Sequence, residues 1–312
     1  MSTPPGAAGK GRSLSAVSRD RIEQHLKFLV GVRHPVAAPA ALQRACSYLE
    51  DTLRALGYAV DLHGFFDGGQ EYHNVVATRL GTRRPEKRVL VLAHFDTVAG
   101  SPGADDNASG VALLLELATM FKEWRPELTL QFVGVNLEEN SDRDGHGTGL
   151  RGSRALAAFA LQQGWEIEAV VVLESVAFAG GSVRQAAPAG VPLQVPPNGD
   201  FLAVIGNELA QGVVARFALA ADSFDIALPV VPLVVPDNGE LLPDTRRSDH
   251  APFWDAGYPA IMLTDTTNFR NPHYHEPSDT LETLNLAFAV RVCQATAAFL
   301  LGMAGGEGAA PS

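Results

Sequence analysis

Three apolar runs in this sequence lead into side chains that can carry protons or bind metal ions. RVLVLAHFD (88–96) closes on His94 and Asp96, and LTLQFVGVNL (128–137) is followed at once by Glu138 and Glu139. AVVVLES (169–175) carries Glu174. Between the first two runs lies GADDNASG (103–110), with Asp105, Asp106 and Asn107 framed by glycines. Late in the chain, NPHYHEPSDT (271–280) adds His273, Tyr274, His275 and Asp279. Each feature alone has an ordinary explanation: Asp, Asn and Ser cap helices and initiate turns, and a single strand-end His can be a satisfied polar residue. Their combination is harder to explain that way, because carboxylates buried without partners are very costly. One or two dications would remove that cost. Imidazole and carboxylate donors without cysteine suit zinc or a similar borderline metal.

Such donors need a scaffold that gathers strand ends. Strand candidates lie at 58–66, 73–80, 88–96, 128–137, 169–175, 200–207, 227–235 and 259–265, with helix candidates near 17–31, 38–56, 108–123, 150–164, 207–220 and 283–302. Several strands are apolar throughout, as expected where helices cover both faces of a sheet. The alternation predicts an α/β three-layer sandwich, with helices on both faces of a mixed, mostly parallel central sheet. Ligands in such sheets bind outside the carboxyl ends of the strands, where His94, Glu138, Glu139 and Glu174 fall. Side chains alternate along a strand, so the adjacent Glu138 and Glu139 are expected to face different ways and do different jobs. The sequence has no internal repeat and no linker, so one domain over 16–304 is expected. A disordered tail at 1–15 and a flexible one at 305–312 would flank it.

Taken in order, HFD, GADDNASG, NLEEN, LES, SDHAPFWDAGYPAI and PHYHEPSDT resemble the motifs of the co-catalytic zinc exopeptidases. That family includes bacterial leucyl aminopeptidases, aminopeptidase Y and glutamate carboxypeptidase II-like metallopeptidases. The resemblance covers residues 72–285, and residues 1–70 contribute little to it. It implies a zinc-exopeptidase fold and two Zn2+ ions per chain. Asp106 would bridge them, His94 and Glu174 would complete one site, and Glu139 and His275 the other. His275 is preferred to His273 because the family's histidine precedes the Asp of a DT pair by four residues, here Asp279. Asp96 would hydrogen-bond the far nitrogen of His94, Asp279 would support the site from behind, and Glu138 would be the general base. Tyr274 matches the tyrosine before the final metal histidine in the glutamate carboxypeptidase branch, where it would stabilise an oxyanion. The family also has a cis peptide after the bridging aspartate, here Asp106–Asn107.

The activity implied is hydrolysis of peptide bonds by metal-activated hydroxide. Asp106, Glu139 and Glu174 would offset all but one of the charges of two dications, and a hydroxide would neutralise the remainder. The best reading is an aminopeptidase acting on a peptide or small aminoacyl substrate. A carboxypeptidase or dipeptide hydrolase of the same family comes next. A glutaminyl cyclase-like single-zinc acyltransferase and a non-catalytic binding protein on the same scaffold are the further readings. Arg246 and Arg247, just before SDH, could pair with a substrate carboxylate. The Pro/Gly-rich segment 179–200 is expected at the rim of the site, and 140–153 as a surface loop shaping it.

Other chemistries lack their motifs: there is no G-x-S-x-G, G-x-x-x-x-G-K-[ST], G-x-G-x-x-G or H-E-x-x-H. With 24 basic against 35 acidic residues the net charge is −11, which speaks against nucleic-acid and anionic-membrane partners. Cys46 and Cys293 are too few for a disulfide framework, and two reduced thiols are expected. The N-terminus lacks the apolar stretch of a signal peptide and no apolar run reaches bilayer length, so a cytoplasmic location is expected.

Overall fold

The computed structural model describes residues 17–139, 149–188, 195–224 and 226–306. Its strands are β1 (Ala59–Asp67), β2 (Gln70–Arg79), β3 (Arg84–His94), β4 (Leu128–Val135), β5 (Glu166–Glu174), β6 (Leu202–Asn207), β7 (Val230–Val235) and β8 (Ala260–Thr264). They form one sheet in the order β1-β2-β4-β3-β5-β8-β6-β7. The central neighbours β4, β3, β5 and β8 run parallel, as do β6 and β7, while β1/β2, β2/β4 and β6/β8 are antiparallel. This is the mixed sheet that the pattern predicts.

Side-chain alternation sends the inner strands into two separate cores. Val89, Val91, Leu130, Phe132, Val171 and Leu173 face one layer, and Leu90, Leu92, Val133, Val135, Val170 and Val172 face the other. The first layer holds α1 (Arg19–Leu29), α2 (Pro39–Ala55), α3 (Gly110–Phe121), α5 (Gln211–Ser223) and α7 (Leu286–Ala304). The second holds α4 (Arg151–Gln162) and the short α6 (Ala251–Asp255). The α2 helix lies so close to the sheet that a Cβ at Gly134 would meet the Leu49 side chain at 2.4 Å. Phe132 is fully buried and edge-on to Tyr58, with centroids 5.6 Å apart. Phe132→Ala is expected to cost about 3–5 kcal/mol, read as a lower midpoint in denaturant unfolding.

Two expectations need correction. The α7 helix is long and apolar enough to cross a bilayer by length and composition. Its Phe288, Val292, Phe299 and Leu300 are instead core residues, packed into the first layer. The run at 128–137 is strand only to Val135. The expected tails lie largely outside the described residues, as do 140–148 and 189–194. Cys46 and Cys293 are buried and unpaired.

The order of the central strands creates the site. The chain leaves β3, crosses through α3 to β4 on one side, then returns through α4 to β5 on the other. Since α3 and α4 cover opposite faces, the loops at the carboxyl ends of these strands diverge and leave a crevice.

Candidate active site

His94 is the last residue of β3 and Glu174 the last of β5. Asp106 comes from the turn between β3 and α3. That turn opens at Gly103, whose φ of 59° is left-handed and where a Cβ would meet the Asp106 carbonyl oxygen at 2.3 Å. The Asp106–Asn107 peptide is cis, as the resemblance implies. His275 arrives on the loop before α7.

These elements divide the donors into two groups around one carboxylate. Nε2 of His94 lies 3.2 Å from Oδ1 of Asp106 and 3.4 Å from Oε2 of Glu174. Nε2 of His275 lies 3.1 Å from Oδ2 of Asp106 and 3.3 Å from Oε2 of Glu139. Each oxygen of Asp106 therefore faces a different imidazole. Both Nε2 atoms and Oε1 of Glu139 are buried without a hydrogen-bond partner among the described residues. Buried polar atoms are rarely left that way unless something else takes them up, and this donor set is one that a borderline divalent cation fits.

The electrostatics are those of a crowded acidic cluster. Burial alone would lower the pKa of His94, but Glu174 and Glu138 raise it well above the usual imidazole value. Burial is likewise overcome at His275, which Asp106 and Glu139 push up to about 10. Burial also opposes ionisation of Asp106, yet His275 and His94 hold it below the ordinary carboxylate range. Glu139 is raised to about 7, first by burial and then by Asp106.

Both glutamates lie beyond the strand end, after a left-handed residue, so regular strand alternation does not extend to them. The strand β4 ends three residues before Glu138, and Leu137 has a left-handed φ of 55°, uncommon for a side chain of its size. Asp96 secures that turn: its Oδ1 accepts from the Glu138 amide and its Oδ2 from the Glu139 amide, each at 3.1 Å. Its contact with Nδ1 of His94 is looser, 3.5 Å, and Nδ1 makes no hydrogen bond among the described residues. Asp96 thus holds the two glutamate amides and also stands against the far nitrogen of His94, the imidazole it was expected to meet. Glu138 Oε2 stands 4.0 Å from His94 Nε2, farther than any of the donor contacts above.

Asp279 reaches the main chain of the Asp106 turn. Its two oxygens accept from the amides of Asp105 and Asp106 at 2.9 and 3.2 Å. Asp105 turns away, accepting from the Ala177 amide and the Asn271 side chain. His273 also stays outside, bonded to Ser278. Tyr274 stacks on the His275 ring at 3.8 Å, and its hydroxyl accepts from Arg247 at 3.3 Å.

Several contributors are not singled out by the sequence pattern. Ser248 donates to Oε2 of Glu174 at 2.7 Å, and Asp249 beside it is fully buried and pushed up to about 7 by that burial. Arg33 is buried and, among the described residues, has no carboxylate against its guanidinium, which is held by the carbonyls of Leu29, Gly31, Phe95, Pro102 and Gly103. It ties the ends of β3 and the Asp106 turn to the loop after α1. The isolated "VRHP" gives no sign of this, because its partners are all main-chain atoms distant in sequence.

A profile of peptidase family M28 matches residues 74–300. The chain belongs to peptidase family M28. Among relatives of this M28 protein, Escherichia coli YfbL is 31% identical over 86% of this chain and 83% of its own. A probable zinc metalloprotease of Leptosphaeria maculans is 29% identical over 64% of this chain. The match spans about half, 48%, of that fungal protein. The fold is that of an aminopeptidase from Aneurinibacillus sp. strain AM-1, with a TM-score of 0.71, 16% identity, and 96% and 97% of the two chains covered. It is equally that of a glutaminyl cyclase from Macrostomum lignano, with a TM-score of 0.76, 20% identity, and 98% and 96% covered.

Proposed function

We propose that this M28 protein is an aminopeptidase that holds two zinc ions, one among His94, Asp106 and Glu174 and the other among His275, Asp106 and Glu139. The observation that carries the reading is Asp106, whose two oxygens are shared between two imidazole–carboxylate groups. The zinc-metalloprotease name of the fungal relative agrees with it. Zinc, when bound, supplies Lewis-acid polarisation of the scissile carbonyl and eases deprotonation of water. Glu138 takes the water's proton and delivers it to the leaving amine. In the metal-free chain, burial, reinforced by Glu139 and Glu174 and opposed by His94, holds the Glu138 carboxyl well above the ordinary carboxylate range. Tyr274, whose oxygen accepts from Arg247, keeps its own hydroxyl proton to donate to the developing oxyanion.

A cavity of about 170 Å³ opens beside Glu174 and Tyr274, walled by Phe201, Ile205, Leu233, Met262 and Phe269. An apolar cavity of about 150 Å³ holds benzene, so this one suits a leucine, methionine or phenylalanine side chain. Gln185, Ala186, Pro188 and Val195 of the 179–200 segment also line it, which is the rim position expected of that loop.

The test pairs metal analysis with a substrate screen. About two zinc equivalents per chain and release of N-terminal Leu or Phe, abolished by chelator, are expected. One zinc with cyclisation of N-terminal glutamine would replace this reading by the cyclase. Cleavage of N-acetylated peptides alone would overturn the aminopeptidase assignment.

A further inference from the structure

The pocket above the donor groups has a volume of about 310 Å³, and its wall carries Arg154, Arg246 and Arg247. Three guanidinium groups around one pocket are unexpected in a chain with 24 basic and 35 acidic residues. They are not equivalent. Arg246 is committed to the fold: its fork reaches both oxygens of Asp255 at 2.8 Å and the Asn238 carbonyl at 2.6 Å.

Arg247 stands where the metal pocket meets the apolar cavity and lines both. Its hydrogen bonds go to neutral oxygens, Asn268 Oδ1 at 3.1 Å and Tyr274 Oη at 3.3 Å. Its acidic neighbour, Asp244, is 3.5 Å away with both side chains about 40% exposed, a weak tie in water. Arg154, in the first turn of α4, has no ion pair among the described residues. Of the carboxylates lining this pocket, Asp106, Glu139 and Glu174 belong to the donor groups, and Glu138 forms no ion pair with either arginine among the described residues. Their charge is then available to a ligand, and guanidinium groups pair with carboxylates in a directional, often bidentate way.

We propose that Arg247, assisted by Arg154, binds a carboxylate carried by the leaving residue, so that the preferred substrates are short peptides, dipeptides foremost. With the acyl side chain in the apolar cavity and the scissile bond at the donors, the leaving residue occupies the remaining pocket beside these two arginines. Its carboxylate is either the C-terminus of a dipeptide or the side chain of an acidic residue. The proposal rests on the aminopeptidase reading only for which end of the peptide leaves.

Zinc-loaded Glu138→Gln protein separates the two ideas, because binding is read without turnover. Titration calorimetry compares Leu-Ala, Leu-Ala-amide and Leu-Glu-amide. Leu-Ala is expected to bind roughly 10–100-fold more tightly than its amide, the range of a charge-assisted pair. Tight binding of Leu-Glu-amide instead would assign the site to an acidic side chain. Adding Arg247→Met should collapse the acid-to-amide ratio towards one, Arg247→Lys should restore part of it, and Arg154→Met should reduce it. A merely structural Arg247 would weaken acid and amide alike. Equal affinity for all three peptides overturns the proposal whether or not the wild-type enzyme turns them over. A carboxylate preference in a protein that cleaves nothing would leave the Arg247 carboxylate site standing and remove the peptidase reading.

Discussion

Glu138→Gln is expected to lower kcat by roughly 10²–10⁴-fold, the contribution of a positioned general base, with zinc per chain unchanged. The reason is positional. Glu138 is adjacent to Glu139 in sequence, yet its carboxylate is 4.0 Å from the nearest imidazole nitrogen, against 3.1–3.4 Å for the donor contacts. It lines the pocket beside the donors. Its backbone is fixed independently, by the Asp96 oxygen on its amide and by the Leu150 amide, 2.7 Å from its carbonyl. Glutamine keeps the size and the backbone bonds but cannot accept and return a proton. Glu139→Gln should behave in the opposite way, losing zinc first and activity as a consequence. The measurements are kcat under saturating substrate and zinc per chain by elemental analysis. A Glu138→Gln enzyme retaining more than a tenth of wild-type kcat would remove the base assignment.

Much of the scaffold was legible because it follows from periodicity. The mostly apolar runs at β4 and at the end of β5 called for helices on both faces, and parallel neighbours then put His94 and Glu174 at one edge. Residue types at those ends pointed to a metal before any geometry was known. What the pattern could not supply is how main-chain amides are distributed among carboxylates. Asp96 clamps two amides 42 and 43 residues away, and Asp279 clamps two more, 174 and 173 residues away. Local sequence has no register for such bonds. The same limit explains Arg246 and Arg247, a uniform pair in sequence. One finds Asp255 and is neutralised, while the other ends between two pockets. Leu137 is the clearest case, since alternation alone assigns Glu138 and Glu139 to opposite faces of a strand, and a left-handed residue ends that logic two positions after the strand stops.

Asp106→Asn should have a comparably large effect by a different route, abolishing the paired site while leaving the scaffold in place. The amides that hold the turn, those of Asp105 and Asp106 on Asp279, are untouched by the change. The carboxylate itself is what two imidazole groups face, so asparagine removes one of three negative charges and turns an NH2 group towards one of the donor sets. Loss of an outer partner of a metal site already costs roughly 10–100-fold in affinity, and loss of a shared donor should exceed that at both positions. Zinc at about 1,000 times its Kd adds roughly 4 kcal/mol to the stability of a protein that binds it only when folded. Wild-type protein should therefore melt several degrees higher with zinc than with chelator, and Asp106→Asn should show little of that difference. Elemental analysis should find one zinc or fewer in the variant. Two retained zinc ions, or an undiminished zinc-dependent rise in Tm, would mean that Asp106 does not join the two donor groups, and the two-metal reading would fall with it.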